Sequence, residues 1–340
     1  MVIKDTQDTK VCLSPEYNFV YNKKSGFFAR WGKTLEDDPQ TAPSPEILDI
    51  EVTEICAGVP DLQGVRKPCK FCYKANGNVG RVMTMDTFKT VLSKFPKTLT
   101  QVAFGADSQA LSCPDLFDMM RHCRALGIVP NITVADIDDR VADQLAELCG
   151  AVAVSRYENP TPCFDSVKKL TDRGMSQVNI HQMVSQETKF QCLQTISSVH
   201  EDPRLARLNA LVFLSLKPKG RGLGYHALSQ ESYKTMVDFA MSCGISFGMD
   251  SCSAHKFLAA IKDHPDYERM AQLVEPCEAT CFSSYVNARG HFYPCSFAES
   301  GDGIDVTAVK DFDEIWNHPK TQAFRESLLS GDRHCPLYSI

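Results

Sequence analysis

The sequence predicts an α/β fold: a partial (β/α)6 barrel over residues 46–249, with an N-terminal β-hairpin and linker in residues 1–45 and a small cysteine-rich domain in residues 250–340. Three observations support it. Short β-branched runs alternate with amphipathic runs from Ile47 to Met249, the pattern of repeated βα units. The strand-like runs are apolar along both faces, as in a parallel sheet covered by helices. After Met249 the rhythm breaks and cysteines crowd the remainder.

The first 45 residues hold two aromatic runs around NKKSG, a hairpin signal, and then a Pro/Asp-rich linker. Strands follow at ILDIEVTEI, LTQVAFG, IVPNITV, AVAVS, QVNIHQM and ALVFLSL, with a seventh extended run at ISFGM. The helices between them start at capping residues and stop at glycine. In CPDLFDMMRHCRALG, Pro114 suits the first turn, Leu116, Met119, Met120 and Cys123 make one apolar face, and Gly127 ends the run. Behind the barrel, YVNARGHFYPCSF reads as a hairpin and VKDFDEIWNHPKTQAFRESLL as a helix, together a separate small unit. In barrels of this kind the active site lies at the carboxyl ends of the strands.

Composition narrows the function. With 36 basic and 42 acidic residues the formal charge is −6, which disfavours nucleic acid and anionic membrane as partners. No apolar run is long enough to cross a membrane, and the first ten residues lack the apolar core of a secretory signal, so a cytoplasmic location is expected. Fifteen cysteines, an odd number, make a poor disulfide framework but a good supply of metal thiolates. Cys56 ends the first barrel strand, and Cys69 and Cys72 follow in the spacing C-x12-C-x2-C. Three thiolates of one loop can hold three irons of a [4Fe-4S] cluster and leave the fourth open. A zinc site would need a fourth ligand that the loop lacks, and a chance grouping is the remaining alternative.

A βα barrel with a three-cysteine loop after its first strand, and the run CKFCY within it, resembles the radical S-adenosylmethionine (radical SAM) superfamily. The resemblance implies a [4Fe-4S] cluster on Cys56, Cys69 and Cys72 that binds S-adenosylmethionine, with Phe71 near the adenine and Tyr73 giving backbone contacts to its edge. The family spacing is C-x3-C-x2-C, so this chain carries an insertion between its first two thiols. Gly105, Ala106 and Asp107 stand where the family has a Gly-Gly-Glu-like turn for the cofactor's amino group. Ser155 and Arg156 are candidates for its carboxylate, and a surface ion pair is the plain alternative for Arg156. Asn179, His181 and Gln182 alternate in and out of the barrel, so only some of them can face its interior.

The C-terminal part is similar to the SPASM and shorter twitch extensions of radical SAM enzymes: Cys277, Gly290 and Cys295 fit the opening C-x(9–15)-G-x4-C, and Cys335 stands where a later ligand is expected. This implies one auxiliary [4Fe-4S] cluster. Its fourth ligand is Cys281 or Cys252, with Cys281 favoured because it approaches the same hairpin as Cys277. The remaining cysteines are read as small buried apolar residues.

The expected activity is reductive cleavage of S-adenosylmethionine to a 5′-deoxyadenosyl radical and hydrogen abstraction from a substrate, with a peptide or protein side chain ahead of other classes. An electron donor such as flavodoxin or ferredoxin is implied. Modification of a small molecule, nucleotide or nucleobase is the alternative, for which Lys217, Lys219 and Arg221 could contact phosphate. A non-enzymatic iron–sulfur carrier or binding protein is the alternative of another class.

Overall fold

The computed structural model describes residues 1–339. The N-terminal segment is a four-stranded antiparallel sheet: β1 (Val2–Asp5), β2 (Thr9–Leu13), β3 (Asn18–Asn22) and β4 (Phe28–Trp31). The expected hairpin is its β3–β4 half, Tyr21 opposite Phe28. The two further strands escape the sequence because their burial is uneven, four of the nine residues being exposed. Lys10 of β2 is buried and donates to the Leu99 carbonyl at 2.7 Å, tying this sheet to the barrel.

The barrel opens with β5 (Ile47–Glu51), and the loop behind it folds a two-residue ladder of β6 (Val59–Pro60) and β7 (Arg66–Lys67). Then come α1 (Met85–Lys94), β8 (Gln101–Gly105), α2 (Leu116–Ala125), β9 (Val129–Val134), α3 (Asp139–Leu148), β10 (Val152–Arg156), α4 (Thr161–Asp172), β11 (Val178–Val184), α5 (Lys189–Glu201), β12 (Ala210–Ser215), α6 (Gln230–Ser242) and β13 (Phe247–Met249). The seven strands β5 and β8 to β13 lie parallel and in chain order. Each helix buries one stripe on the outside of the sheet. In α3 the Asp138 carboxylate caps the Val141 amide at 2.8 Å, and Val141, Ala142, Leu145 and Leu148 fill the core against Val152 and Val154.

The alternate residues of each strand face the other way. On β5, Leu48 and Ile50 join the helix-side core, so Asp49 and Glu51 point into the barrel. On β10 the same parity puts Ala153 and Ser155 inside, and on β11 Asn179 and His181. The interior is therefore polar.

The C-terminal part continues the same sheet. After α7 (Ala254–Ile261) and α8 (Tyr267–Ala271), β14 (Ser283–Val286) pairs parallel with β5, and β15 (His291–Tyr293) and β16 (Ile304–Asp305) extend it to ten strands. It is thus hydrogen-bonded to the first barrel strand rather than set apart, a long-range pairing that no local pattern announces. The expected C-terminal helix is broken into α9 (Asp313–Trp316) and α10 (Pro319–Ser330). Proline disfavours helical backbone in the residue before it, and His318 is extended at φ −61° and ψ 139°. Among the described residues no helix is long and apolar enough to cross a membrane.

Candidate functional site

The loop from Val52 to Met83 leaves β5 and returns beside it. The Met83 amide donates to the Val52 carbonyl at 2.9 Å and the Cys56 amide to the Gly77 carbonyl at 2.7 Å, so Cys56 is fixed at the strand end. The insertion between Cys56 and Cys69 lies over the barrel mouth. Arg66 donates to the Gly58 carbonyl at 2.7 Å and pairs with Asp136 after β9. Ser108, after β8, donates to the same carbonyl at 2.5 Å, and Asn159, after β10, to the Asp61 carbonyl at 2.9 Å. Gly58 is required: at φ +81° its missing Cβ would stand 1.9 Å from the Lys67 carbonyl oxygen.

The three thiols converge on one side chain, Tyr157. Burial, with the nearby charges of Cys69, Cys72 and Cys56, drives its acidity far below that of an ordinary phenol. Burial likewise pushes the Cys69 thiol up to about 12. Phe71 stacks on Tyr157 with ring centres 5.4 Å apart and planes at 15°, and meets Tyr225 edge-on at 5.7 Å. Tyr73 is turned to the other side, 4.5 Å from the ring of Phe297. Neither Tyr157 nor Tyr225 was singled out by the sequence, where an aromatic at a strand end carries no signature.

A second segment holds the cysteine loop by its backbone. The Arg221 amide donates to the Cys72 carbonyl at 3.0 Å, its Nε to the Cys69 carbonyl at 2.6 Å and its Nη2 to the Asn76 carbonyl at 3.0 Å. Gly220, at φ +57°, lies so close that a Cβ would come within 2.4 Å of the Tyr73 carbonyl oxygen. The neighbouring lysines are also engaged. Lys217 pairs with Asp250 at 2.7 Å, and Lys219 donates to the carbonyls of Phe297 at 3.1 Å and Glu299 at 2.7 Å. All three cations considered for phosphate binding thus have partners within the chain.

Gly105, Ala106 and Asp107 stand at the end of β8, beside the mouth. The Asp107 carboxylate is committed to its own loop: it accepts from the amides of Gln109 at 3.1 Å, Leu111 at 3.0 Å and Ser112 at 2.8 Å. Ser155 faces the barrel interior, but Arg156 does not. Arg156 has the helix-side parity of Val152 and Val154, lies 5.9 Å from the Phe164 ring and close to Cys163 and Cys192, and leaves Nε and Nη1 without partners. Gln182 shares that orientation, accepting from Thr195 of α5 at 3.0 Å. Inside the barrel, burial lowers His181 to about 4 and raises Asp49 to about 6.

A second group of thiols gathers where β13, the hairpin and the C-terminal segment meet. The acidity of Cys252 is set by burial and by the nearby charges of Lys217, Asp250, Cys277 and Cys335. Cys295 lies in the field of Cys252 and Cys335, and Cys277 in that of Cys295 and Cys335. Burial pushes Cys252 and Cys277 up to about 12 and Cys295 to about 11. Cys281 is fully buried, in the apolar cluster that also holds Cys277 and Cys12, and the charges that act on it most are those of Arg333, Arg325, Glu278 and Arg30.

Neither thiol group is drawn together as on a single bound ion. Thiolates on one tetrahedral zinc stand about 3.8 Å apart, from Zn–S bonds of about 2.3 Å. Among the described residues neither group brings three sulfurs within 4.8 Å of one another. The wider spacing suits a polynuclear cluster. Backbone amides also point at the sulfurs, as Gly58 does to Cys56 at 3.4 Å and as those of Phe71, Ala279, Phe297 and Ala298 do to Cys69, Cys277 and Cys295. Next to Tyr73 of the cysteine loop, a cavity of about 510 Å³ is lined by Glu51, Lys74, Lys219, Asn287, Arg289 and Glu299. Lys74 bridges it, bonding Tyr285 at 2.6 Å, Glu51 at 3.2 Å and Glu299.

An open parallel barrel with a thiol loop at its mouth, extended by a cysteine-bearing hairpin, is the fold of the radical SAM type that the sequence predicts. Among solved structures the chain is similar to SuiB of Streptococcus suis bound to the precursor peptide SuiA, with a TM-score of 0.70 at 12% identity over 95% of this chain and 90% of that one. SuiB bound to S-adenosylmethionine gives a TM-score of 0.66 at 12% identity over the same shares, 95% and 90%. The FeFe-hydrogenase maturase HydG from Carboxydothermus hydrogenoformans gives 0.51 at 10% identity, over 85% of this chain and 67% of that one. At these identities the likeness is one of fold. No family model matches the chain, and no curated protein is similar to it in sequence.

Proposed function

We propose that the chain is a radical SAM enzyme that takes a hydrogen atom from a peptide or protein side chain. The observation that carries this reading is the convergence of Cys56, Cys69 and Cys72 on Tyr157 at the carboxyl end of the barrel strands. A [4Fe-4S] cluster on these thiolates, with S-adenosylmethionine on its open iron, would supply the 5′-deoxyadenosyl radical. The chain's own part is placement and exclusion. Arg221 and Gly220 fix the loop that carries Cys69 and Cys72, the insertion covers the mouth, and Phe71 offers a flat face beside the thiols. Ser155 and the turn at Gly105 and Ala106 are the polar edge left for the methionyl end, whereas Asp107 supports that turn from behind.

An auxiliary cluster is assigned to Cys252, Cys277, Cys295 and Cys335, in place of the set containing Cys281. The fields that Cys252 shares with Cys277, Cys295 and Cys335 support the assignment. A peptide substrate is favoured because SuiB, of the same fold over 95% of this chain, is seen with a precursor peptide. Electrons would come from a flavodoxin or ferredoxin. The test is anaerobic reconstitution followed by dithionite and S-adenosylmethionine. Accumulation of 5′-deoxyadenosine that is lost in Cys72→Ala supports the proposal. A chain that holds its clusters and forms none is an electron carrier instead.

A further inference from the structure

Outside both thiol groups, three ligand-type side chains meet between the start of α7 and the C-terminal segment. The imidazoles of His255 and His334 lie face to face, ring centres 3.4 Å apart and planes 10° from parallel. One ligand atom each of His255, Asp332 and His334 lies within 4.8 Å of the others, the only such group of three or more His, Cys, Asp or Glu atoms among the described residues. The nitrogens are prepared for a Lewis acid. Nδ1 of His334 is 3.0 Å from the Gly331 carbonyl, so it carries the proton and leaves a lone pair on Nε2. Nε2 of His255 is buried without any hydrogen-bond partner, a costly state for a polar atom.

The backbone is bent to present these groups. Asp332 and Arg333 adopt φ values of +52° and +56°, a left-handed conformation that two successive non-glycine residues take only under constraint. Arg333 provides it. Its buried guanidinium donates to the carbonyls of Cys277 at 2.9 Å and Pro276 at 2.8 Å and pairs with Glu275 at 2.6 Å. Anchored there, it leaves Asp332 and His334 on either side turned to His255.

We infer that His255, Asp332 and His334 bind one divalent first-row transition-metal ion through two imidazole nitrogens and a carboxylate oxygen. This donor set suits zinc or iron(II), with a further position for water. A metal-bound histidine ordinarily gives its second ring N–H to a carbonyl or carboxylate, as His334 does to Gly331. Ligands on bonds of about 2.0–2.1 Å stand about 3.3 Å apart, so binding requires the three atoms to close in and one ring to tilt out of the stack. Asp332 and His334 are exposed, so their side chains meet no packed wall as they adjust. The ion would tether the segment ending in Cys335 to the helix that follows Cys252. None of its ligands is a cysteine, so it does not depend on the cluster assignments.

The test is zinc retention. The full chain, reconstituted with iron and sulfide, is exposed anaerobically to a small excess of Zn²⁺, desalted, and assayed for zinc, iron and sulfide. About one zinc per chain is expected, with an X-ray absorption shell of nitrogen and oxygen near ~2.0–2.1 Å and no sulfur near ~2.3 Å. His334→Ala and Asp332→Asn, both at exposed positions, should lose the zinc and keep the iron and the thermal midpoint of the zinc-free parent. A parent that retains no zinc, a sulfur-containing shell, or variants that hold zinc like the parent would overturn the site. Loss of iron from His334→Ala would also overturn it, by making His334 a cluster ligand.

Discussion

Arg221 donates its Nε proton to the carbonyl of Cys69 at 2.6 Å, across 152 residues of chain. Its guanidinium also holds the Asn76 carbonyl and its backbone amide the Cys72 carbonyl, so one residue fixes the backbone on which two of the three mouth thiols stand. Arg221→Ala leaves the carbonyls of Cys69 and Asn76 without their charged donor. The loop should loosen by roughly 2–3 kcal/mol, and iron at the mouth should be lost to a chelator at least about tenfold faster than in the parent. Arg221→Lys should rescue little, because one ammonium cannot span carbonyls that the planar fork spans. Loss at the parental rate would remove Arg221 from this role.

The thiol groups predict iron content and its division. Two [4Fe-4S] clusters correspond to about eight iron per chain, and the Cys56, Cys69, Cys72→Ala triple variant should keep about four. In that background Cys252→Ala should change the electron paramagnetic resonance of the remaining cluster. Cys281→Ala should leave it unaltered and cost only packing, on the order of 1–2 kcal/mol. The opposite outcome would restore Cys281 as the fourth ligand.

Asp107 separates support from contact. Because its carboxylate accepts three backbone amides, Asp107→Ala should lower stability by roughly 2–3 kcal/mol in a denaturant titration, even without cofactor. Asp107→Asn keeps an acceptor oxygen and should recover part of this. A variant of parental stability that only weakens cofactor binding would put the carboxylate in direct contact instead.

Glu46 makes stability depend on pH. It lies under the N-terminal sheet, bonded by Tyr17 and by Arg30 at 3.2 Å, and burial, aided by the Glu275 charge, outweighs Arg30 and Tyr17 to raise its carboxyl to about 7. The folded state therefore holds this proton more tightly than the unfolded chain does. Its stabilising contribution is complete below the unfolded value near 4.5 and is lost as pH rises through about 7. The effect is at most about 3 kcal/mol. Glu46→Gln should flatten the decline in denaturant midpoint over that window. An equal slope in parent and variant would show that Glu46 titrates normally.

The position of Cys56, Cys69 and Cys72 on the loop after β5 was legible from the sequence, because a thiol at a strand end and a short loop behind it stay near that strand end in any fold that starts with β5. Periodicity was enough for the barrel, since strands buried on both faces and helices with one apolar stripe leave few architectures. Tertiary structure decided what depends on direction and on distant partners. Strand parity turned Ser155 inward and Arg156 to the helices, although they are adjacent in the chain. The pairing of β14 with β5 and the return of the C-terminal segment gathered Cys252, Cys277, Cys295 and Cys335 and left Cys281 among arginines. The same return set His334 against His255, 79 positions earlier in the chain. Such meetings are fixed by packing between elements remote in sequence, and no local pattern of residues encodes them.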